Sequence, residues 1–379
     1  MSNTNAIPLI DLQAQRRRLG EDLNRAIAAA VEGGQWIMGP QVREVEERLA
    51  EFAGVRHAIA CANGTDALMI VLRAWDIGPG DAVFVPAFTF AASAEVVALV
   101  GAVPVFVDVL EDTYNMDPAS LEAAIAMVKR EGKLRPRVVM PVDLFGQAAD
   151  YRALEPLVKR EGLKMLVDTA QAFGATLDGR HTAAFGDAAS TSFFPAKPLG
   201  CYGDGGATFT NDDGLAELLR SIRIHGQGAD KYENVRIGVN SRLDTIQAAI
   251  LIEKLKIFPE EIEAREKVAR RYNDALGRSN RIGVPRLIDG AQSTWAQYTI
   301  QVPERDRLAT DLKAKGIPTA IYYTTPLSHQ KGYAHFPGAP TPVSERIGKS
   351  VISLPMHPYL DEATQDRIVA AVLESVGSA

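Results

Sequence analysis

Apolar positions near the start of the chain recur at helical spacing. Leu19, Leu23, Ile27 and Val31 are four apart, and Val42, Val45, Leu49 and Phe52 continue at mixed three- and four-residue intervals. Two amphipathic helices are predicted there. Beyond them, short apolar runs alternate with helical stretches. Residues 57–62 read as a strand, 65–75 as a helix, 82–86 as a strand, 91–100 as a helix and 103–107 as a strand. The runs 138–142 and 165–168 also read as strands, separated by a helical stretch over 151–161. Such alternation predicts an α/β fold with a mainly parallel sheet covered on both faces. The pattern changes after about Arg242. Residues 244–255 and 259–276 read as two helices with little between them. A smaller α/β section follows, with a strand near 297–302 and helices near 306–315 and 361–376. A large domain over 1–250 and a small C-terminal domain over 251–379 are expected, because 379 residues exceed one core of ordinary size.

Composition narrows the class. Hydrophobic residues at 46% and charged residues at 23% suit a globular protein. A net charge of −6 argues against the broad positive field of a nucleic-acid binder, yet leaves room for a local basic pocket around a small anion. The two cysteines, Cys61 and Cys201, form neither a metal cluster nor a disulfide scaffold. The N-terminal residues 1–5 show no leader pattern. The most apolar region, 82–109, is interrupted by Pro86, Glu95, Gly101 and Pro104, unlike a membrane span. A cytoplasmic enzyme is the expectation, with no partner among nucleic acids or membranes.

In open parallel sheets ligands gather at the carboxyl ends of strands. Three segments lie there. Gly64 and Thr65, in Cys61-Ala62-Asn63-Gly64-Thr65-Asp66, turn a strand straight into a helix, whose free N–H groups make a phosphate cradle or simply an ordinary capped turn. Asp168, followed by Gln171, ends an apolar strand, so its carboxylate is either a cap or the partner of a buried group. Lys197 lies between the aromatic-rich run 191–194 and a glycine-rich loop with Gly200, Gly203, Gly205 and Gly206. In a partly apolar pocket its amine would lose protons readily and could form a Schiff base; on the surface it would be inert. Together, a Schiff-base lysine, an acid for a pyridinium nitrogen and a phosphate cradle are the parts that pyridoxal 5'-phosphate (PLP) chemistry requires.

The chain resembles the DegT/StrS-type sugar-nucleotide aminotransferases, which have the fold-type-I PLP architecture. The likeness runs from Ile10-Asp11-Leu12 to Leu354-Pro355-Met356-His357-Pro358, and its most specific parts are 192–206 and 238–244. It is most similar to the enzymes that aminate C3 of UDP-linked 3-keto uronic acids for bacterial surface polysaccharides. The resemblance implies that Lys197 carries the cofactor and that Asp168 faces its pyridine nitrogen. It implies Gln171 at the phenolic oxygen, Phe90 on the ring, and Gly64, Thr65 and Ser192 at the phosphate. It further implies a homodimer in which Asn240 reaches the neighbouring subunit's phosphate, with Arg242 facing an acidic group on the sugar. Tyr322 and Tyr323 would line the substrate site. The family usually has a histidine where Tyr322 stands, and members with histidine in place of Lys197 are dehydratases. Read without the resemblance, Phe90 fits a core, Tyr322 and Tyr323 fit a packing strand, and Arg242 fits a cap or ion pair of the next helix.

The implied activity is transfer of an amino group, with L-glutamate as donor, to a UDP-linked 3-keto hexuronic acid. The alternative is amination at C3 or C4 of a dTDP-, GDP- or UDP-linked keto-deoxy sugar. Other classes fit less well. A desulfurase needs a mobile cysteine, and Cys201 is poorly placed. A PLP-binding regulator would bring a basic DNA-binding segment, and a Rossmann protein would show Gly-x-Gly-x-x-Gly after a strand.

Overall fold

A computed structural model describes residues 7–230 and 232–377, so the N-terminal stretch read for a leader lies outside the described residues. Two helices come first. In α1 (Leu12–Glu32), Asp11 accepts a hydrogen bond from Ala14 N at 2.8 Å, and Leu19 and Leu23 are buried against Ile250. The predicted stripe leaves the core toward the helix end: Ile27 is half-buried and Val31 is 47% exposed. α2 (Pro40–Ala53) opens on a proline and closes on Gly54 in the left-handed region (φ 67°), where glycine is favoured.

The chain then alternates strand and helix: β1 (His57–Cys61), α3 (Gly64–Ala74), β2 (Asp81–Pro86), α4 (Ala92–Leu99), β3 (Val103–Val107), α5 (Pro118–Glu131), β4 (Arg135–Val139), α6 (Tyr151–Glu161) and β5 (Lys164–Asp168). A small hairpin of β6 (Thr176–Leu177) and β7 (Arg180–His181) precedes β8 (Ala188–Ser192), β9 (Gly206–Thr210) and α7 (Asp213–Ile222). Seven strands form one sheet in the order β1-β9-β8-β5-β4-β2-β3. Strand β9 runs antiparallel to both neighbours, and the pairs from β8 to β3 are parallel.

Side chains alternate across this sheet. Phe84, Val139 and Val167 enter one core, whereas Val83, Val85, Val138 and Leu166 enter the core on the other face. Burial on both faces is why these strands read as unbroken apolar runs. β4 stops at Val139, short of the predicted end, because Pro141 has no N–H to continue the ladder; a single bridge, Val142 with Asp168, lies beyond it.

Where the pattern reads as two helices, the structure has one. α8 (Thr245–Leu276) runs 32 residues with Pro259 inside. The proline removes one backbone hydrogen bond, and packing of the adjacent Phe258, fully buried, holds the helix through it. Residue 250, the expected domain edge, therefore lies within α8. Its first half (Ala248, Leu251, Ile252, Phe258) belongs to the core beneath the sheet. Its second half (Val268, Ala269, Tyr272, Leu276) joins a separate core with β11 (Tyr298–Gln301), which follows the two-residue β10 (Ala291–Gln292). Around that core stand α9 (Arg305–Ala314), β12 (Val351–Leu354), antiparallel to β11, and α11 (Glu362–Gly377). Ile7 is buried in the same core, and Met356 N donates to Leu9 O, so the chain's start packs with its end.

Asp108, just beyond β3, ties the large sheet to α10 (Pro342–Ile347). Its buried carboxylate accepts from Val343 N and Ser344 N, both at 2.9 Å, and from Ser344 Oγ at 2.6 Å. Replacement by alanine leaves these donors unsatisfied. Asp108→Ala is expected to lower the unfolding free energy by about 2–4 kcal/mol, read as a fall in denaturant midpoint.

Candidate active site

Three strand ends converge. Leaving β1, Asn63 caps α3 by accepting from Asp66 N at 2.8 Å, and the amides of Gly64 and Thr65 donate to no protein acceptor among the described residues. Glycine is required at the crossing: a Cβ on Gly64 would lie 2.7 Å from Ser192 Cβ, and one on Gly206 would lie 2.5 Å from Asn63 O. The free amides of Gly64 and Thr65, with Ser192 beside them, form a concave donor set at a helix start, which suits a phosphate.

Asp168 ends β5 and is 6% exposed. Its carboxylate accepts from Ala170 N at 3.0 Å and from Ser93 Oγ at 3.3 Å, and Ser93 Oγ is in turn 3.2 Å from Thr89 Oγ1. Burial raises the carboxyl above its ordinary range, while Ala170 N–H, the Lys197 charge and Ser93 pull it down. Lys197 lies in the loop between β8 and β9. Burial lowers its pKa, and Asp168 opposes that shift. The amine has no hydrogen bond among the described residues. A half-buried amine whose pKa is lowered by loss of water, coupled to a carboxylate at a strand end, is equipped to attack a carbonyl carbon.

Aromatic residues wall this pocket. Phe90 is 56% exposed, not core, with its ring 6.5 Å from that of Tyr323. Buried Phe88 meets Tyr323 edge-on at 5.9 Å. Gln171 Oε1 accepts from Phe145 N at 2.8 Å, and its Nε2 reaches the Tyr323 hydroxyl at 3.5 Å. Burial holds that hydroxyl above its ordinary pKa, with the Asp168 charge adding to the shift. Tyr322 and Tyr323 lie on a loop of the C-terminal unit rather than on a strand, with their rings 5.9 Å apart.

Lys197, Asp168, Phe90, Gln171 and Tyr323 are thus brought together, as are Gly64, Thr65 and Ser192. Asn240 and Arg242 are not bonded to any of them. Asn240 is exposed, and the half-buried Arg242 guanidinium has no hydrogen bond or ion pair among the described residues, so it neither caps nor salt-bridges α8. Between them Ser241 is buried and accepts from Ala62 N at 3.2 Å, which runs this segment along the end of β1. The sequence reading missed Ser93 and Thr89. Their four-residue spacing at the start of a helix beside the Phe88–Phe90 run was the available signal.

No cluster of histidine, cysteine or acidic residues among the described residues could hold a metal, and no described helix is long and apolar enough to cross a membrane. A half-buried lysine amine of lowered pKa, a carboxylate coupled to it and a helix start that suits a phosphate together match the donor set for pyridoxal phosphate, and this class of enzyme is what the fold and pocket define. Residues 17–373 match the DegT/DnrJ/EryC1/StrS aminotransferase family. A UDP-2-acetamido-2-deoxy-3-oxo-D-glucuronate aminotransferase of Pseudomonas aeruginosa is 48% identical, over 97% of this chain and 99% of that protein. A UDP-N-acetyl-3-dehydro-alpha-D-glucosamine 3-aminotransferase of Acidithiobacillus ferrooxidans is 40% identical over 98% of each. A family aminotransferase from Brucella abortus superposes with a TM-score of 0.96 at 55% identity, covering 98% of this chain and 100% of that one. The chain belongs to the DegT/DnrJ/EryC1/StrS aminotransferase family, and it is a pyridoxal-phosphate-dependent enzyme.

The glycine crossing gives a direct test of the cradle. Gly64→Ala forces Ser192 aside, so affinity for the free cofactor should fall by roughly tenfold or more, measured by fluorescence titration, with the circular dichroism spectrum unchanged. Unaltered affinity would remove Gly64 from the cofactor site.

Proposed function

We propose that the enzyme moves an amino group from L-glutamate to C3 of a UDP-linked 3-keto hexuronic acid, a step in bacterial surface polysaccharide or lipopolysaccharide synthesis. It would act in the cytoplasm as a homodimer with shared active sites. The observation that carries the chemistry is the half-buried amine of Lys197, without a hydrogen bond among the described residues and electrostatically coupled to Asp168. The choice of sugar is supported by 48% identity with the Pseudomonas 3-oxo-glucuronate aminotransferase and by the unpaired guanidinium of Arg242.

Bound pyridoxal phosphate supplies an electron sink that makes the Cα–H of an attached amino acid acidic. In this reading Lys197 anchors the cofactor and, once free, carries a proton from one carbon to the other. Asp168 keeps a proton on the pyridine nitrogen, which a neutral residue could not do at neutral pH. Gly64, Thr65 and Ser192 bind the phosphate, Phe90 covers the ring, and Gln171 orients the phenolic oxygen. Arg242 takes the uronic carboxylate with its planar fork, beside Tyr322 and Tyr323. Tyr322, where the family usually has histidine, favours one second reading: a keto-deoxy sugar on dTDP, GDP or UDP, aminated at C3 or C4.

The deciding experiment incubates the enzyme with glutamate and a panel of UDP- and dTDP-keto sugars, with products assigned by mass spectrometry and NMR. The 3-keto uronate should be aminated at C3. Arg242→Lys should raise KM for that substrate about tenfold and leave the matched 6-hydroxy sugar little changed, since a point charge cannot replace a bidentate fork. Equal losses on both sugars would show that Arg242 does not read a carboxylate.

The dimer is supported by an exposed apolar patch. Trp36, Ile37 and Met38 are 57%, 51% and 39% exposed, and this stretch bonds directly to the start of α8, where Thr245 N donates to Trp36 O. A partner covering this face would receive Asn240 and Arg242. Lys197→Ala mixed with the Asn240→Ala, Arg242→Ala double variant should then regain activity. About half the dimers would be mixed, each with one intact site, giving roughly a quarter of wild-type activity. Failure to regain it, with exchange verified by native mass spectrometry, rules out sharing.

A further inference from the structure

Lys254 is a buried lysine that the reaction does not use. It projects from α8 and is 1% exposed. A lysine is almost never buried this completely without a carboxylate in contact. Here its ammonium donates instead to a backbone oxygen, Gly200 O at 2.6 Å, and lies 4.5 Å from the centre of the Tyr202 ring. Burial brings its pKa down to about 8, with Glu261 and Cys201 acting in the opposite direction. Isolated from its surroundings, such a cation is a cost to folding.

The same face of α8 makes a second contact with this loop. Gln247, two turns before Lys254, accepts from Tyr202 N at 2.8 Å through Oε1 and donates to Tyr202 O at 3.3 Å through Nε2. Glycine lets the loop approach α8: a Cβ on Gly203 would lie 2.9 Å from Gln247 Nε2, and Gly200 lets the loop fold tightly on itself, where a Cβ would lie 2.6 Å from Phe194 O. The loop so held, Pro198 to Gly203, begins one residue after Lys197. Among the described residues no other α8 side chain hydrogen-bonds a backbone group of this segment.

We propose that Lys254, with Gln247, clamps the loop that follows Lys197 and thereby sets the position of the cofactor amine; Lys254 is a positioning residue. The proposal rests on the reading of Lys197 as the cofactor lysine, and its test separates the two. Lys254→Met keeps the length and apolar stem and removes the donor and the charge. In the cofactor-free protein, amide hydrogen exchange of the peptide spanning 198–203 should quicken roughly tenfold, whereas peptides of the sheet should be unchanged. This measurement is independent of where the cofactor attaches, which borohydride reduction and peptide mapping report separately. In the loaded enzyme, cofactor affinity should fall roughly tenfold and kcat should drop with KM for the nucleotide sugar unaltered. Wild-type exchange in 198–203 together with wild-type cofactor affinity overturns the proposal, whatever the variant's melting temperature. If Lys254→Met does not fold, Gln247→Ala should quicken exchange in the same peptide and weaken cofactor binding to a lesser degree. The absence of both effects overturns it equally.

Discussion

The pairing of the buried Asp168 with the half-buried Lys197 sets the terms for the rest of the molecule. Asp168 is buried and Lys197 half-buried, and loss of water drives each toward its neutral form, the carboxyl upward and the amine downward. Each also supports the other's charge. Such a pair persists only in a frame that holds it against relaxation, and the frame is a sheet with helices on both faces. Asp168 is fixed by strand register and by Ala170 N–H and Ser93, not by a flexible turn. Lys197 is fixed from the other side, by the return of the chain into β9. That strand is antiparallel, so it brings Gly206 against Asn63, where a larger residue cannot stand. The phosphate cradle and the lysine loop are consequently built from one crossing of backbone.

What could be read from the sequence follows from the same physics. Double-sided burial makes the strands continuous apolar runs, so their places were plain, and polar residues at their ends stood out against them. Asp168 and Lys197 were visible for that reason. The hairpins of β6, β7 and β10 span two residues each, too short for any period to register. The unbroken α8 was hidden because Pro259 has a strong local preference that tertiary packing of Phe258 overrides. Ser93 was hidden because a serine in a helix is unremarkable until the fold sets it 3.3 Å from a buried carboxylate. Asn240 and Arg242 were legible only through the family motif. Among the described residues neither side chain has a hydrogen bond or ion pair, so no pattern within one chain could assign them a partner.

Long helix α8 resolves how two cores serve one pocket. Its first half packs beneath the sheet and its second half enters the core of the C-terminal unit. The C-terminal unit then sends Tyr323 back over the pocket, to within reach of Gln171, whose carbonyl oxygen is already engaged by Phe145 N. In the proposed reading, chemistry and substrate selection are divided unequally between the units. The large unit owns the amine, the carboxylate and the cradle, whose geometry is fixed by the sheet. The C-terminal unit contributes loop residues, which tolerate change because no strand register depends on them.

That division explains where variation can enter a shared architecture. A substitution at Tyr322 alters the wall without touching the sheet, since its ring packs on Tyr323 and on the neighbouring apolar cluster, not on Asp168 or Lys197. A substitution at Tyr323 is different. Its hydroxyl meets Gln171 and is coupled to Asp168, so a change there reaches the large unit's strand ends as well as the loop. Arg242 is different again: among the described residues its half-buried guanidinium has no hydrogen bond or ion pair, so exchanging it breaks none. In the proposed reading, sugar specificity changes at Tyr322 and Arg242 while Asp168 and Lys197 keep their places, and Tyr323 is the position where the two requirements meet.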